Sequence, residues 1–93
     1  MLEAAQPMLV DFTAPWCGPC RVMKPMLAEL AADRADLGVI GVDLDDNQVT
    51  AARYGVLAAP TLILFRNGEP VLTLVGSRPR KRLESELVAA LCA

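Results

Sequence analysis

The sequence predicts an α/β domain built on a four-stranded mixed sheet. Residues 8–13 and 37–45 are apolar segments on either side of a stretch with helical periodicity, and strand, helix and strand in this order form a right-handed βαβ unit with parallel strands. Two later apolar segments flank an Asn-Gly pair, a strong short-range signal of an antiparallel hairpin. A final amphipathic helix completes the pattern, and we expect one domain over residues 1–93.

The first strand and the first helix flank the most informative motif of the chain. Residues 8–12 are apolar except for Asp11, which is typical of a buried strand. The helix is expected over residues 21–34, where apolar residues recur near the helical period at Met23, Met26, Leu27 and Leu30. Pro25 removes one backbone donor inside this helix. Because the apolar spacing continues beyond it, we predict that the helix bends at Pro25 and does not end there.

The middle of the chain predicts the second strand and a short helix. Residues 37–45 are expected to be a strand because they contain Val39, Ile40, Val42 and Leu44. Asp46 or Asn47 is a suitable N-cap for a helix over residues 48–54. Gly55 follows this helix, at the position where a residue in the left-handed conformation commonly ends a helix.

The last third of the chain predicts the hairpin and the final helix. Strands are expected over residues 61–65 and 71–75, joined by the turn at residues 66–69. Pro79 can open a helix, and one apolar stripe at four-residue intervals runs along it through Leu83, Leu87 and Leu91.

Composition and charge exclude several classes of function. The chain has 93 residues, of which 54% are hydrophobic and 22% charged, so it is expected to form a compact core. A net charge of −2 argues against a general affinity for nucleic acid or an anionic membrane. No apolar run approaches the roughly 20 residues that span a bilayer. Because the first strand begins by Met8, we expect no secretory signal and a cytoplasmic location, although a domain released from a longer precursor would have the same sequence.

The motif Trp-Cys-Gly-Pro-Cys at residues 16–20 predicts dithiol redox chemistry. It lies at the junction of a strand and a helix, where exposed amides and the helix dipole favour the thiolate of Cys17. Cys20, about one turn further, can attack a mixed disulfide on Cys17 and close a Cys17–Cys20 disulfide. Gly18 and Pro19 make this ring closure possible. The alternatives are half of a zinc site or two buried apolar cysteines, but a chain with no histidine and three cysteines lacks donors for tetrahedral zinc.

Asp11 is an acid within an apolar strand. Burial without a neighbouring cation would raise its pKa and suit it to proton transfer. The alternative is a partly solvated carboxylate on the less buried face of the strand.

The chain resembles the thioredoxin family over nearly its whole length. Besides the cysteine motif, the matching segments are Val-Asp-Phe at 10–12, Pro25, Tyr-Gly-Val at 54–56, Ala-Pro-Thr at 59–61, Phe-Arg-Asn-Gly at 65–68 and Val-Gly at 75–76. The resemblance implies a thioredoxin-like fold with helices on both faces of the sheet. It also implies that Cys17 is the attacking cysteine and Cys20 the resolving one.

Further site residues follow from the resemblance. Asp11 matches the acid that lies beneath the second cysteine and helps to deprotonate it. Pro60 matches the family's cis-proline, which faces the cysteines; the alternative is an ordinary loop proline before a strand. Five residues match positions of the family's shallow substrate groove, for which the alternative role is plain packing: Trp16, Ala59, Pro60, Val75 and Gly76.

Several departures from the family pattern are also visible. Gly41 replaces a lysine that many members carry near the buried acid, Thr13 stands where tryptophan is frequent, and Ala59 replaces a larger residue. The chain begins without the family's first strand, and residues 2–6 are too few to replace it. The outer edge of the second strand is therefore expected to be bare, on a mostly monomeric domain.

We therefore expect a thiol-disulfide oxidoreductase that acts as a protein-disulfide reductase. Apart from the Cys17–Cys20 disulfide, no cofactor and no metal is expected. The resemblance implies protein disulfides as substrates and a flavin-dependent thioredoxin reductase as electron donor. The alternatives are an extracytoplasmic disulfide oxidant or cytochrome-maturation reductant, and a non-catalytic interaction module of the same fold.

Two weaker features complete the sequence. Residues 78–82 read Arg-Pro-Arg-Lys-Arg, which we interpret as a solvated helix start, with binding of an acidic partner as the alternative. Cys92 is expected to pack as a small hydrophobe at a fraying helix end or to be an accidental intermolecular thiol, without a catalytic part.

Overall fold

A computed structural model describes residues 6–92 of the chain, which form four strands and three helices. In chain order they are β1 (Met8–Thr13), α1 (Gly18–Asp33), β2 (Gly38–Asp43), α2 (Gln48–Arg53), β3 (Thr61–Arg66), β4 (Glu69–Val75) and α3 (Arg80–Leu91). The expectation for residues 2–5 lies outside the described residues.

The strands form one mixed sheet in the order β2-β1-β3-β4. Strand β1 pairs in parallel with β2 and antiparallel with β3, and β3 pairs antiparallel with β4. The predicted βαβ unit and hairpin are therefore confirmed. Within residues 6–92, β2 pairs with β1 alone, so its outer edge is bare as expected.

Helices cover both faces of the sheet, because successive side chains of a strand point to opposite faces. Leu9 of β1 packs into the larger core beneath α1 and α3, together with Leu30 and Leu83. Val10 and Phe12 point the other way, into a second core beneath α2. The same alternation places Asp11 on the face of Leu9, under α1.

Several element boundaries differ from the sequence prediction by one to three residues; for example, α1 begins at Gly18 and not at residue 21, and β4 begins at Glu69 and not at residue 71. Strand β2 ends at Asp43 instead of residue 45 because the Asp43 carboxylate accepts the backbone N–H of Asp45 at 2.8 Å and turns the chain. Asn47 does occupy the N-cap of α2, but its side chain caps nothing. The Asn47 amide instead donates to the Asp43 carbonyl at 2.9 Å.

The turn residues have the predicted left-handed conformations, and Pro25 does not end its helix. Gly55 has a φ of 70°, and Asn67 and Gly68 have φ values of 55° and 80°, which is the left-handed pair that a tight hairpin requires. Helix α1 continues through Pro25 to Asp33.

Candidate active site

Cys17 and Cys20 lie at the start of α1 and form a disulfide, with 5.3 Å between their Cα atoms. Cys17 is the N-cap residue, and its extended backbone (ψ 109°) turns the chain from β1 into the helix. The backbone N–H of Cys20 donates to the Cys17 sulfur at 3.2 Å. Each cysteine is only 4% exposed, so the N-cap contact, not exposure, distinguishes the two sulfurs.

Asp11 lies on the α1 face of β1 and is 7% exposed. Its Oδ1 atom is buried without a hydrogen-bond partner among the described residues. Loss of hydration on burial raises the pKa of Asp11 from 3.8 to about 6, in the direction expected from its apolar strand.

A cavity of about 500 Å³ has both Asp11 and Cys20 in its wall. Gly41 is the residue of β2 that pairs directly with Asp11, and a Cβ built on Gly41 would meet no atom within 4 Å. The position where many family members have a lysine is therefore open space. Other lining residues include Thr13, Arg21, Lys24 and Asp43.

The peptide bond between Ala59 and Pro60 is cis. Ala59 packs against the cluster that contains both cysteines, so this bond lies beside the disulfide. The N–H of Gly76, whose φ is 95°, donates to the Pro60 carbonyl at 2.9 Å. The structure thus joins the β4–α3 loop to the segment that faces the cysteines.

Two side chains near this segment expose apolar surface. Trp16, directly before Cys17, is 66% exposed, and its indole N–H donates to Asp45 at 3.4 Å. Val75 is 61% exposed. Val75 pairs with Thr61, which directly follows Pro60, and Trp16 directly precedes Cys17, so both side chains lie next to segments that contain the cysteines or the cis-proline.

The basic run 78–82 is not a simple solvated helix start, so that interpretation is corrected. The Arg78 side chain is only 7% exposed and pairs with Glu86 of α3. Arg80 pairs with Asp33 of α1 at 2.6 Å and with Glu84 at 3.2 Å. Sequence reasoning missed the contacts of Arg78, for which the only signal was an acid two turns into the following helix.

Cys92 is exposed, which contradicts the expectation that it packs as a small hydrophobe. Helix α3 ends at Leu91, so Cys92 lies just past the last turn. Its thiol is far along the sequence from the disulfide and is free.

A disulfide between the N-cap and the first turn of a helix, on a mixed sheet of this order, defines a thiol-disulfide oxidoreductase. A model of the thioredoxin family matches residues 1–89. The thioredoxin of Alicyclobacillus acidocaldarius is 44% identical over 97% of this chain and 87% of its own length. The thioredoxin of Bacillus subtilis is 48% identical over 87% of this chain and 78% of its own length.

Solved structures agree with these relatives. The thioredoxin of Fasciola hepatica superposes with a TM-score of 0.88 and 32% identity, covering 95% of this chain and 84% of that one. The chain therefore belongs to the thioredoxin family, and it is a protein-disulfide reductase with a redox-active disulfide. Nothing in these comparisons favours the extracytoplasmic oxidant or the interaction module.

Two features are absent from the part of the chain that the structure describes. Among residues 6–92, no three side chains of the His, Cys, Asp and Glu types come together as a metal site would need. None of the helices in that range has the length and apolar character needed to cross a bilayer.

Proposed function

We propose that Cys17 is the attacking thiol and Cys20 the resolving thiol of this reductase. The observation that carries the assignment is the N-cap position of the Cys17 sulfur, which accepts the Cys20 N–H at 3.2 Å. In the reduced protein the same N–H and the helix dipole favour a thiolate on Cys17 over one on Cys20.

The reaction transfers two electrons from the dithiol to a disulfide of a substrate protein. The Cys17 thiolate breaks the substrate disulfide and forms a mixed disulfide, which releases one substrate thiolate. The Cys20 thiolate then attacks the Cys17 sulfur, which releases the second substrate thiolate and forms the Cys17–Cys20 disulfide. Gly18 and Pro19 keep the first turn of α1 compatible with this closure.

Asp11 is proposed to take the proton from Cys20 before the second step. Both residues line the same cavity, and a carboxyl with a pKa of about 6 is mostly ionised at neutral pH and can accept a proton there. The unpaired Oδ1 atom leaves a lone pair available for this proton.

Trp16, Ala59, Pro60, Val75 and Gly76 are proposed to form the surface that receives an extended segment of the substrate. Support comes from the exposure of Trp16 and Val75 and from the contact of Ala59 with the cysteine cluster. Backbone groups at a groove of this kind can pair with an extended peptide.

We also propose the substrates, the electron donor, the location and the oligomeric state of the protein. We expect protein substrates with accessible disulfides, a thioredoxin reductase as electron donor, a cytoplasmic location and a mostly monomeric single domain. Family membership supports the substrates and the donor in general terms.

Trapping of mixed disulfides tests the assignment of the cysteines. All variants carry Cys92→Ser, because that exposed thiol would form mixed disulfides of its own. Cys20→Ser is expected to hold a disulfide-containing substrate such as insulin on Cys17 as a stable adduct, and Cys17→Ser is expected to hold none. Iodoacetamide at neutral pH should label Cys17 first. Adducts on Cys20, or preferential labelling of Cys20, would reverse the two roles.

A further inference from the structure

Arg78 lies in the loop between β4 and α3 and contacts this loop and α3 at once. Its Nη1 donates to both carboxylate oxygens of Glu86, each at 2.8 Å. Its Nη2 donates to the Val75 carbonyl at 2.9 Å and lies 3.5 Å from the Gly76 carbonyl. One guanidinium group therefore joins the end of β4 to a helix.

The loop between β4 and α3 is also held by the segment that contains Pro60. The Gly76 N–H donates to the carbonyl of Pro60, the cis-proline next to the disulfide. Gly76 thus has its N–H directed to Pro60 while its carbonyl and that of Val75 face Arg78. These contacts hold the Val75–Gly76 backbone between the Pro60 segment and Arg78.

We propose that Arg78, held by Glu86, is a positioning residue that sets the Val75–Gly76 backbone for binding of the substrate segment. This inference rests on the proposed groove and adds a residue that touches neither the substrate nor the cysteines. Stability alone is a poor reason for this arginine, because a buried ion pair gains little over an apolar contact. Its Nε is moreover buried without a partner among the described residues.

Lysine cannot replace this arginine. The planar guanidinium directs one nitrogen to Glu86 and another to the Val75 carbonyl with fixed geometry, whereas an ammonium group is a point charge on a flexible stem. Arg78→Lys therefore keeps the charge near Glu86 and loses the fixed geometry of the loop.

Arg80 provides a matched control from the same basic run. It also makes ion pairs, with Asp33 and Glu84, but it has no hydrogen bond to Val75 or Gly76. Arg80→Leu should lower the stability of the protein without changing the conformation of the β4–α3 loop. Arg78→Leu should lower the stability and also change the conformation of this loop.

The experiment compares wild type, Arg78→Lys, Arg78→Leu, Glu86→Gln and Arg80→Leu in two reactions. With insulin as substrate, both Arg78 variants are expected to raise KM about three- to tenfold, the range for losing one or two positioning hydrogen bonds, with kcat nearly unchanged. Glu86→Gln should give a smaller rise. Reduction of a small disulfide, hydroxyethyl disulfide, which needs no groove, should proceed at the wild-type rate in every variant.

A second measurement does not depend on activity. Hydrogen exchange of the Gly76 amide, which is bonded to Pro60, should become faster in Arg78→Leu and Arg78→Lys but not in Arg80→Leu. Unchanged insulin KM and unchanged Gly76 exchange in the Arg78 variants would overturn the proposal. An equal rise of KM in Arg80→Leu would also overturn it, because the effect would then be one of general stability.

Failure of the proposed function gives a different result. If the wild-type protein reduces hydroxyethyl disulfide but not insulin, the assignment of a groove that binds protein substrates is wrong. If Val75→Asp leaves the insulin KM unchanged while wild-type turnover is normal, the substrate segment binds elsewhere. The proposed role of Arg78 is then wrong as well.

Discussion

Replacing Asp11 with asparagine should change how the stability of the oxidised protein depends on pH. The carboxyl is 7% exposed, and its pKa is raised from 3.8 to about 6 by loss of hydration. Between these two pH values the folded protein holds a proton that the unfolded chain releases. The stability that this proton contributes is fully present below pH 3.8 and is lost as the pH rises through 6.

The size of the pKa shift of Asp11 determines how much the stability changes with pH. A difference of this size between the folded and unfolded pKa corresponds to about 3 kcal/mol, of which about 2 kcal/mol is lost between pH 4 and pH 8. Asparagine stays neutral throughout, and the cost of its own buried amide does not vary with pH. Relative to wild type, Asp11→Asn should therefore gain about 2 kcal/mol of unfolding free energy from pH 4 to pH 8.

Urea denaturation of both oxidised proteins at half-unit steps over this range measures the difference directly. The other carboxylates titrate in both proteins and cancel, and the cysteines do not titrate while they form the disulfide. The same substitution should slow insulin reduction, because Cys20 loses its proton acceptor. A stability difference that stays constant from pH 4 to pH 8 would refute the argument and indicate a hydrated Asp11.

Gly41→Lys gives the reciprocal test. Gly41 is paired with Asp11 across β1 and β2, so a lysine there points to the same face of the sheet, into open space. The added ammonium should lower the pKa of Asp11 and flatten the pH dependence of stability. Gly41→Met, of similar length and without charge, should keep the dependence steep. Equal profiles for the two variants would show that the cation does not reach Asp11.

Two further predictions concern the reduction potential of the disulfide and the edge of the sheet. The Cys17–Cys20 couple should have a potential near the roughly −270 mV of reducing thioredoxins in a glutathione series, and a value near about −120 mV would instead indicate an oxidant. Amides of residues 39–44 should exchange faster than those of residues 8–12, because β2 lies at the edge of the sheet and β1 in its interior. Sedimentation should give a monomer mass, and a dimer with strongly protected residues 39–44 would mean that the edge is paired.

Local patterns were sufficient to predict the elements and much of the site. The strand around Asp11, the cysteine pair at a helix start and the Asn-Gly hairpin each depend on a few neighbouring residues, and each was predicted correctly. The apolar neighbours of Asp11 also suggested its burial, with a partly solvated carboxylate as the alternative, and the carboxyl is buried.

What the sequence could not reveal depends on contacts between separate elements. The buried position of Arg78 requires Glu86 to come within 2.8 Å across the start of α3, and a run of cations gives no sign of this. The early end of β2 depends on where the Asp43 carboxylate points. Cys92 was expected either to pack at the helix end or to be an accidental intermolecular thiol, and it does not pack because α3 ends one residue before it.

Strand β2, at one edge of the sheet, also lies directly beside Asp11. Val39, Ile40, Gly41 and Asp43 of this strand line the cavity that contains Asp11 and Cys20. The strand is held to the rest of the described sheet by β1 alone, and it carries no side chain at position 41 to close the cavity. In the proposed mechanism, the proton that Asp11 takes from Cys20 is therefore held in a cavity at the edge of the sheet, and it can return to solvent through that cavity between catalytic cycles.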